Sequence, residues 1–281
     1  MSSRTALCLN SSFLGYFAHA GFLRALLALG IRPAAVSGAS AGALVAGLFA
    51  AGIDPAEMLE LFVSPDLRKV FREPGAPLRG FATILNLPGH TGALSGERAA
   101  ALLREKLGKR RVEECKDPRL ALSVTNLTDG RSEAATSGPL AELILASGAF
   151  PGVFATRPVE DRWFWDGGVA NALPFDHWID DSEVDTILVH IVANPEELSV
   201  RNWKKPKRMS HAVNLSHQII CDELLRLKTD LARRAGKRLV VLRTLSPRPS
   251  LWNPAKVGAG CVDIGAATVE QNREALAQLA S

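Results

Sequence analysis

Tyrosine occurs once in this 281-residue chain and cysteine four times, and Cys8, Cys115, Cys221 and Cys261 form no C-x-x-C pair. Their wide spacing excludes metal-ligand clusters of cysteine, and a disulfide framework does not suit a chain this long. Reduced thiols in a cytoplasmic protein are the expectation, with no metal and no cofactor. Aromatic residues make up only 6%, and none of them alternate with basic side chains as in a single-strand binder. The charge excess is small, +4. It suits an anionic lipid surface but is too weak to indicate nucleic acid. No uncharged apolar run approaches about 18 residues, so no membrane-crossing helix is expected. The apolar stretch from Phe17 to Leu29, preceded by Arg4, has some of the look of a signal peptide, but Arg24 interrupts it. It is read as part of a mature N-terminal strand and helix.

The chain does have ordinary globular material, 47% hydrophobic and 22% charged, enough for a sizeable core. Thr5 to Leu9 reads as a buried strand, Asn10 to Gly15 as a loop, and Tyr16 to Leu29 as a helix stopped by Gly30. Ala34 to Ser37 is a second strand and Ala41 to Ala51 a second helix. This strand–helix–strand–helix order is the signature of a parallel sheet. Prolines break up residues 54–92 into short helices and loops, a candidate lid. Ser95 is placed as the N-cap of a helix running to Leu107. Further strands are expected at Leu120–Thr125, Trp163–Trp165, Thr186–Val192 and Arg238–Leu245. Helices are expected at Leu140–Ser147, Leu215–Arg234 and Asp263–Leu279. The pattern predicts one doubly wound domain over residues 1–281. Its catalytic core would span about 5–175, and residues 176–281 would complete the sheet and helices.

At the end of the second strand stands Gly38-Ala39-Ser40-Ala41-Gly42. A Gly-x-Ser-x-Gly between strand and helix can form a nucleophile elbow, in which a strained serine lifts its hydroxyl out of the sheet. Gly38 and Gly42 would leave room for neighbouring backbone, and the helix N-terminus would favour negative charge. The same residue types also make ordinary strand-to-helix turns. A serine hydroxyl needs a base. His19, His90, His190, His211 and His217 fall in helical or strand patterns or on the surface, and none of the six histidines occupies an obvious late strand-to-loop turn, although His177, next to Asp176, is less easily dismissed. Asp166 is the better candidate: it ends a short aromatic strand and is followed by Gly167 and Gly168. A partly desolvated carboxylate at a strand end gains proton affinity and can serve directly as base. Taken alone, Asp-Gly is also a common turn.

These blocks in this order resemble the patatin-like phospholipase family over about residues 5–265. The blocks are Ala18-His19-Ala20-Gly21-Phe22-Leu23, the elbow, Leu94-Ser95-Gly96-Glu97-Arg98 and Thr125-Asn126-Leu127-Thr128-Asp129-Gly130. Ala146-Ser147-Gly148-Ala149-Phe150-Pro151-Gly152-Val153-Phe154 follows, then Asp166-Gly167-Gly168-Val169 with Asn171 and Pro174. The resemblance implies an α/β/α three-layer fold with a mostly parallel sheet. It also implies a Ser40–Asp166 dyad with no catalytic histidine, acting on lipid acyl esters of the phospholipase A, lysophospholipase or esterase type. His19 would then brace the loop before its helix.

One block departs from the family, whose loop ahead of the first helix is glycine-rich and carries an arginine. Here it reads Asn10-Ser11-Ser12-Phe13-Leu14-Gly15-Tyr16, and no alignment restores the arginine. Backbone N–H donors survive any non-proline substitution, so an oxyanion hole is expected from Asn10, Ser11, Ser12 and Phe13, with Ala41. The altered loop opens a second reading, a lipid-binding or regulatory protein with weakened catalysis. An acyltransferase would share the first half-reaction. Arg201 to Arg208, with Trp203, reads as a solvated loop or as a contact with anionic membrane.

Overall fold

A computed structural model describes residues 4–195, 209–249 and 255–279. The chain opens with strand β1 (Thr5–Leu9), helix α1 (Tyr16–Ala28), strand β2 (Ala35–Ala39) and helix α2 (Ala41–Ala50). Three short helices follow, α3 (Pro55–Val63), α4 (Pro65–Val70) and α5 (Ala76–Ile84), then strand β3 (Gly92–Leu94) and helix α6 (Glu97–Leu107). Next come β4 (Arg119–Asn126), β5 (Arg131–Ala135), α7 (Leu140–Ser147), β6 (Gly152–Phe154), β7 (Arg157–Val159), β8 (Arg162–Asp166) and the single turn α8 (Gly167–Ala170). The last elements are β9 (Thr186–Ala193), α9 (Met209–Arg234), β10 (Arg238–Leu245), α10 (Ala255–Gln271) and α11 (Arg273–Ala277).

The main sheet runs β10–β9–β1–β2–β4–β8–β7. Its first five strands are parallel, and β8 and β7 add an antiparallel end. Strands from both halves of the sequence therefore share one sheet. Helices on both faces bury it, so β1, β2 and β9 are buried along their whole length. Successive residues still serve opposite cores. Leu7 and Leu9 point to the layer of α1, α2 and α7, while Ala6 and Cys8 meet Phe175 and Trp178 on the other side. A separate pair, β3 and β6, lies outside this sheet.

Local chemistry starts the short helices. Asp54 and Ser64 accept hydrogen bonds from Ala56 N–H at 2.8 Å and Leu67 N–H at 3.2 Å, and a proline occupies the first turn of each helix. Ser95 is not the N-cap of α6 as expected; Gly96 holds that place at φ 79°. The buried Glu73 carboxylate instead accepts from the N–H groups of Ser95 and Gly96, at 2.7 and 3.1 Å. The Ser95 hydroxyl still accepts from the Glu97 N–H at 3.2 Å, so a local and a tertiary acceptor share this helix start. The expected terminal helix is two, because Asn272 separates α10 from α11. None of the four cysteines is in a disulfide. The basic stretch from Arg201 to Arg208 lies outside the described residues.

Candidate active site

Strand β4 acts as the ruler for the site. Ala39, the last residue of β2, pairs with Ser123, and Asp166, the last residue of β8, pairs with the next residue, Val124. β5 occupies the opposite edge of β4 over residues 122–126, so β2 and β8 must lie on the same edge. One strand runs up that edge and the other runs down it. They meet end to end, with Ser40 and Asp166 at the junction.

Ser40 adopts φ 53° and ψ −118°, a left-handed conformation that costs a side-chain-bearing residue about 1–3 kcal/mol. The tight approach around it explains the glycines. A Cβ on Gly38 would sit 2.3 Å from the carbonyl oxygen of Gly42, and one on Gly42 would sit 2.3 Å from that of Leu9. The Ser40 N–H donates to Ser147 Oγ at 3.0 Å, and Ser147 in turn donates to the Ser123 carbonyl at 2.6 Å. The strained turn is thus latched to β4 by α7.

Asp166 is 1% exposed. Burial pushes its carboxyl up to about 7, against the opposing pull of the Ser40 hydroxyl and the Gly168 N–H. The Gly168 N–H donates to Asp166 Oδ1 at 2.6 Å. Ser40 lies close enough to pull on the carboxyl without a tight hydrogen bond between the two side chains. Such bonds commonly shorten only when substrate is bound. Gly167 leaves room for the Ser123 carbonyl, and Gly168 for the Ser11 hydroxyl, which would sit 2.1 Å from an added Cβ.

The loop after β1 is arranged differently from the sequence expectation. Asn10 N–H donates to the His190 carbonyl at 3.2 Å and Ser11 N–H to the Ala172 carbonyl at 2.9 Å, so neither points a backbone donor at a substrate. The Asn10 side chain is also occupied: its Oδ1 accepts from Val192 N–H at 2.8 Å and its Nδ2 donates to the Ser11 carbonyl. Among the described residues, the N–H groups of Ser12 and Phe13 have no protein acceptor. The Asn10 side chain therefore anchors the loop to β9. The loop contains no arginine, yet one reaches it from elsewhere, with the Arg248 guanidinium 5.6 Å above the Phe13 ring.

His19 braces this loop from beneath. Its Nε2 lies 3.1 Å from the Asn10 carbonyl oxygen and its Nδ1 lies 2.9 Å from Nδ1 of His190. His190 Nε2 is 2.8 Å from the Thr244 hydroxyl. A carbonyl can only accept, so Nε2 of His19 carries the proton. His190 must then donate through Nδ1, and Thr244 donates to its Nε2. Both rings are neutral. Burial drives His19 down to about 3, opposed by the bond to Asn10, and takes His190 well below its usual range, with His19 adding to the effect. His90 is exposed, and His177 packs against Trp178 away from Ser40.

Two cavities meet at Ser40, Ser12, Phe13 and Phe150. One, of about 140 Å³, is apolar and runs between α2, α4, α6 and α7, with Leu44, Phe62, Phe71 and Leu103 among its walls. The other, of about 250 Å³, reaches Asp166 and ends among Asp222, Arg243 and Arg248. Behind Asp166, Lys228 of α9 is buried and donates to Asp176 Oδ1 at 2.6 Å, the Leu173 carbonyl at 2.9 Å and Asn171 Oδ1. Burial raises the Asp176 carboxyl, but Lys228 and Asn171 outweigh it and hold it below its usual range. The roles of Lys228 and Ser147 carried no local sequence signal. Each depends on a partner many residues away.

Among the described residues, no group of histidine, cysteine and acidic side chains could hold a metal ion, and no helix is long and apolar enough to cross a membrane. Residues 7–179 match the patatin-like phospholipase family. Uncharacterized NTE family proteins of Mycobacterium tuberculosis and Mycobacterium bovis are 32% identical over 174 residues, 62% of this chain and 45% of each relative. The aligned part thus spans less than half the length of these relatives. VipD from Legionella pneumophila is similar in fold, with a TM-score of 0.52 and 16% identity, over 97% of this chain and 67% of that one. With the match extending over more than half its length, the chain belongs to the patatin-like phospholipase family.

Proposed function

We propose that this chain hydrolyses carboxylic esters of lipids through Ser40 and Asp166. One observation carries the reading: a serine held at φ 53° faces a buried carboxyl whose proton affinity is raised to about 7, where two cavities meet. Ionised Asp166 takes the hydroxyl proton as Ser40 Oγ attacks the ester carbonyl. The N–H groups of Ser12 and Phe13, with that of Ala41 at the start of α2, hold the oxyanion. The intermediate collapses, the alkoxide leaves with the proton from Asp166, and the acyl group remains on Ser40. Water, deprotonated by Asp166, then releases the carboxylic acid and restores the serine.

The two cavities suit the two halves of such a substrate. The apolar one is similar in volume to a cavity of about 150 Å³ that admits benzene, so it takes roughly six carbons of an acyl chain. α3 and α4, within the candidate lid of residues 54–92, supply part of its wall. The larger cavity receives the alcohol side. Labelling by a fluorophosphonate probe, followed by mass spectrometry of the labelled peptide, tests the nucleophile. The label is expected on Ser40 and absent from Ser40→Ala; labelling that survives in that variant would refute the assignment. Turnover of a six-carbon ester is expected to be lost in Asp166→Asn, by at least 10²-fold. If turnover persists there, the dyad is wrong.

A further inference from the structure

Helix α5 is amphipathic in the inverted sense. Its polar side faces the protein, where Arg79 donates to the Ala93 carbonyl at 3.0 Å and to Glu73 at 2.8 Å. The large apolar side chains of the helix and of the residues just after it face outward: Leu78, Phe81, Ile84, Leu85 and Leu87 are between 47% and 82% exposed. Leu78, Phe81 and Leu85 recur at i, i+3 and i+7 on one stripe, with Ile84 beside it. A helix facing water alone does not adopt this arrangement, because turning it over would bury these side chains. The three hydrogen bonds of Arg79, including one to the Pro74 carbonyl, fix its orientation.

We infer that the exposed face of α5 is the surface by which this chain docks on an anionic lipid bilayer, an inference that rests on the lipid-ester reading of Ser40. Charge supports that occupant. Residues 74–96 contain no aspartate or glutamate; Arg79 within them is paired with buried Glu73 and Lys69 before them with Asp66, while Arg68 and Arg72 add basic charge just ahead of the segment. No acidic side chain on this segment would be driven toward anionic headgroups. Position supports it too. α5 packs on β3 and β6, and Val153 and Phe154 of β6 line the apolar cavity that starts at Ser40. Phe13 and Phe150, at the shared mouth of both cavities, are also exposed. A docked α5 would bring that mouth against the surface from which an acyl chain must come. A second protein is the poorer fit. A nine-residue helix with Leu78, Phe81 and Ile84, followed by Leu85 and Leu87, falls short of the roughly 20–30 residues a side that a stable protein interface uses.

Flotation with vesicles of phosphatidylcholine and phosphatidylglycerol tests this, using Ser40→Ala protein so that binding is read without turnover. Ser40→Ala is expected to float with the vesicles, more strongly as phosphatidylglycerol increases. Adding Phe81→Glu and Ile84→Glu is expected to lower the bound fraction at least tenfold. The uncharged pair Leu78→Gln and Leu85→Gln is expected to act in the same direction. With Ser40 native, the Phe81→Glu/Ile84→Glu protein is expected to hydrolyse a water-soluble butyrate ester within about twofold of the parent. Undiminished flotation of both variants would overturn the proposal, as would a parent that does not float. It would also be overturned if the parent were a dimer that these substitutions split without any effect on flotation. Absent esterase activity with intact flotation would instead count against Ser40 chemistry and leave the docking surface standing.

Discussion

The backbone N–H of Ser40 donates to the hydroxyl of Ser147 across 3.0 Å, tying the strained elbow to helix α7. Ser147 Oγ donates onward to the Ser123 carbonyl of β4, so one hydroxyl holds the helix, the elbow and the strand together. Ser147→Ala removes that hydroxyl and leaves a buried donor and a buried acceptor unpaired. The expected loss is about 1–3 kcal/mol in chemical denaturation. A fall of roughly tenfold in kcat/KM should accompany it, because the nucleophile is no longer fixed. A variant as stable and as active as the parent would contradict this latch.

Asp166 must be ionised to act as a base, and its carboxyl titrates near 7. Hydrolysis is therefore expected to rise with pH through about 7 and to level off above 8, in kcat/KM against a water-soluble ester. An activity that is flat from pH 5 to 8 would remove Asp166 from the role of base.

The same shift has a stability consequence. The folded carboxyl sits above its unfolded value, so the native state holds a proton that the unfolded state has released. The resulting penalty is absent below about pH 4, grows up to pH 7 and stays constant beyond. Asp166→Asn keeps an oxygen for the Gly168 N–H and removes the penalty. It is expected to be more stable than the parent at pH 8, by roughly 2–4 kcal/mol, and equal to it near pH 4. Urea denaturation at the two pH values measures the difference. Its absence at pH 8 would show that Asp166 is not strained toward its neutral form.

The neutral His19–His190 pair works in the opposite direction. Both rings are depressed in the folded state, so the unfolded chain gains protons that the native state refuses. Their stabilisation is complete above about pH 6.5 and is lost as pH falls toward 3, by about 1.4 kcal/mol per pH unit for each histidine. Ring nitrogen NMR is expected to show both imidazoles neutral and unchanging from pH 8 to pH 5. A titration of either near 6.5 would break the assigned proton order.

Lys228 carries the contact between α9 and the segment after Asp166. Lys228→Met leaves buried Asn171 and the half-exposed Asp176 without their cation, and because solvent screens Asp176 a loss of about 1–3 kcal/mol is expected. Thermal unfolding by calorimetry reads it. A variant with the parent melting temperature would show that the bridge adds nothing.

Much of this protein was legible in the chain itself. The apolar run of β1, the Gly38–Gly42 pattern and the glycines after Asp166 identified a parallel α/β sheet, an elbow and a strand-end carboxylate, because each depends on residues within a few positions. The boundaries of α7 and the stop at Gly30 were local in the same way. Other features were not visible. Ser95 was read as the cap, but Gly96 holds that position, and Glu73, 22 residues before Ser95, takes the N–H groups of Ser95 and Gly96 beside the Ser95 hydroxyl's own bond to Glu97. The loop from Asn10 looked like a row of oxyanion donors until β9 and the Ala172 carbonyl claimed the first two. Sequence by itself determined the strand–helix order and singled out Ser40 and Asp166 as the candidate residues. Tertiary structure decided which donors are free, how far the Asp166 carboxyl is shifted, and that Ser40 and Asp166 meet at all. The physical reason is that burial and hydrogen-bond competition are set by partners distant in sequence, and here the edge of β4 selects them by register.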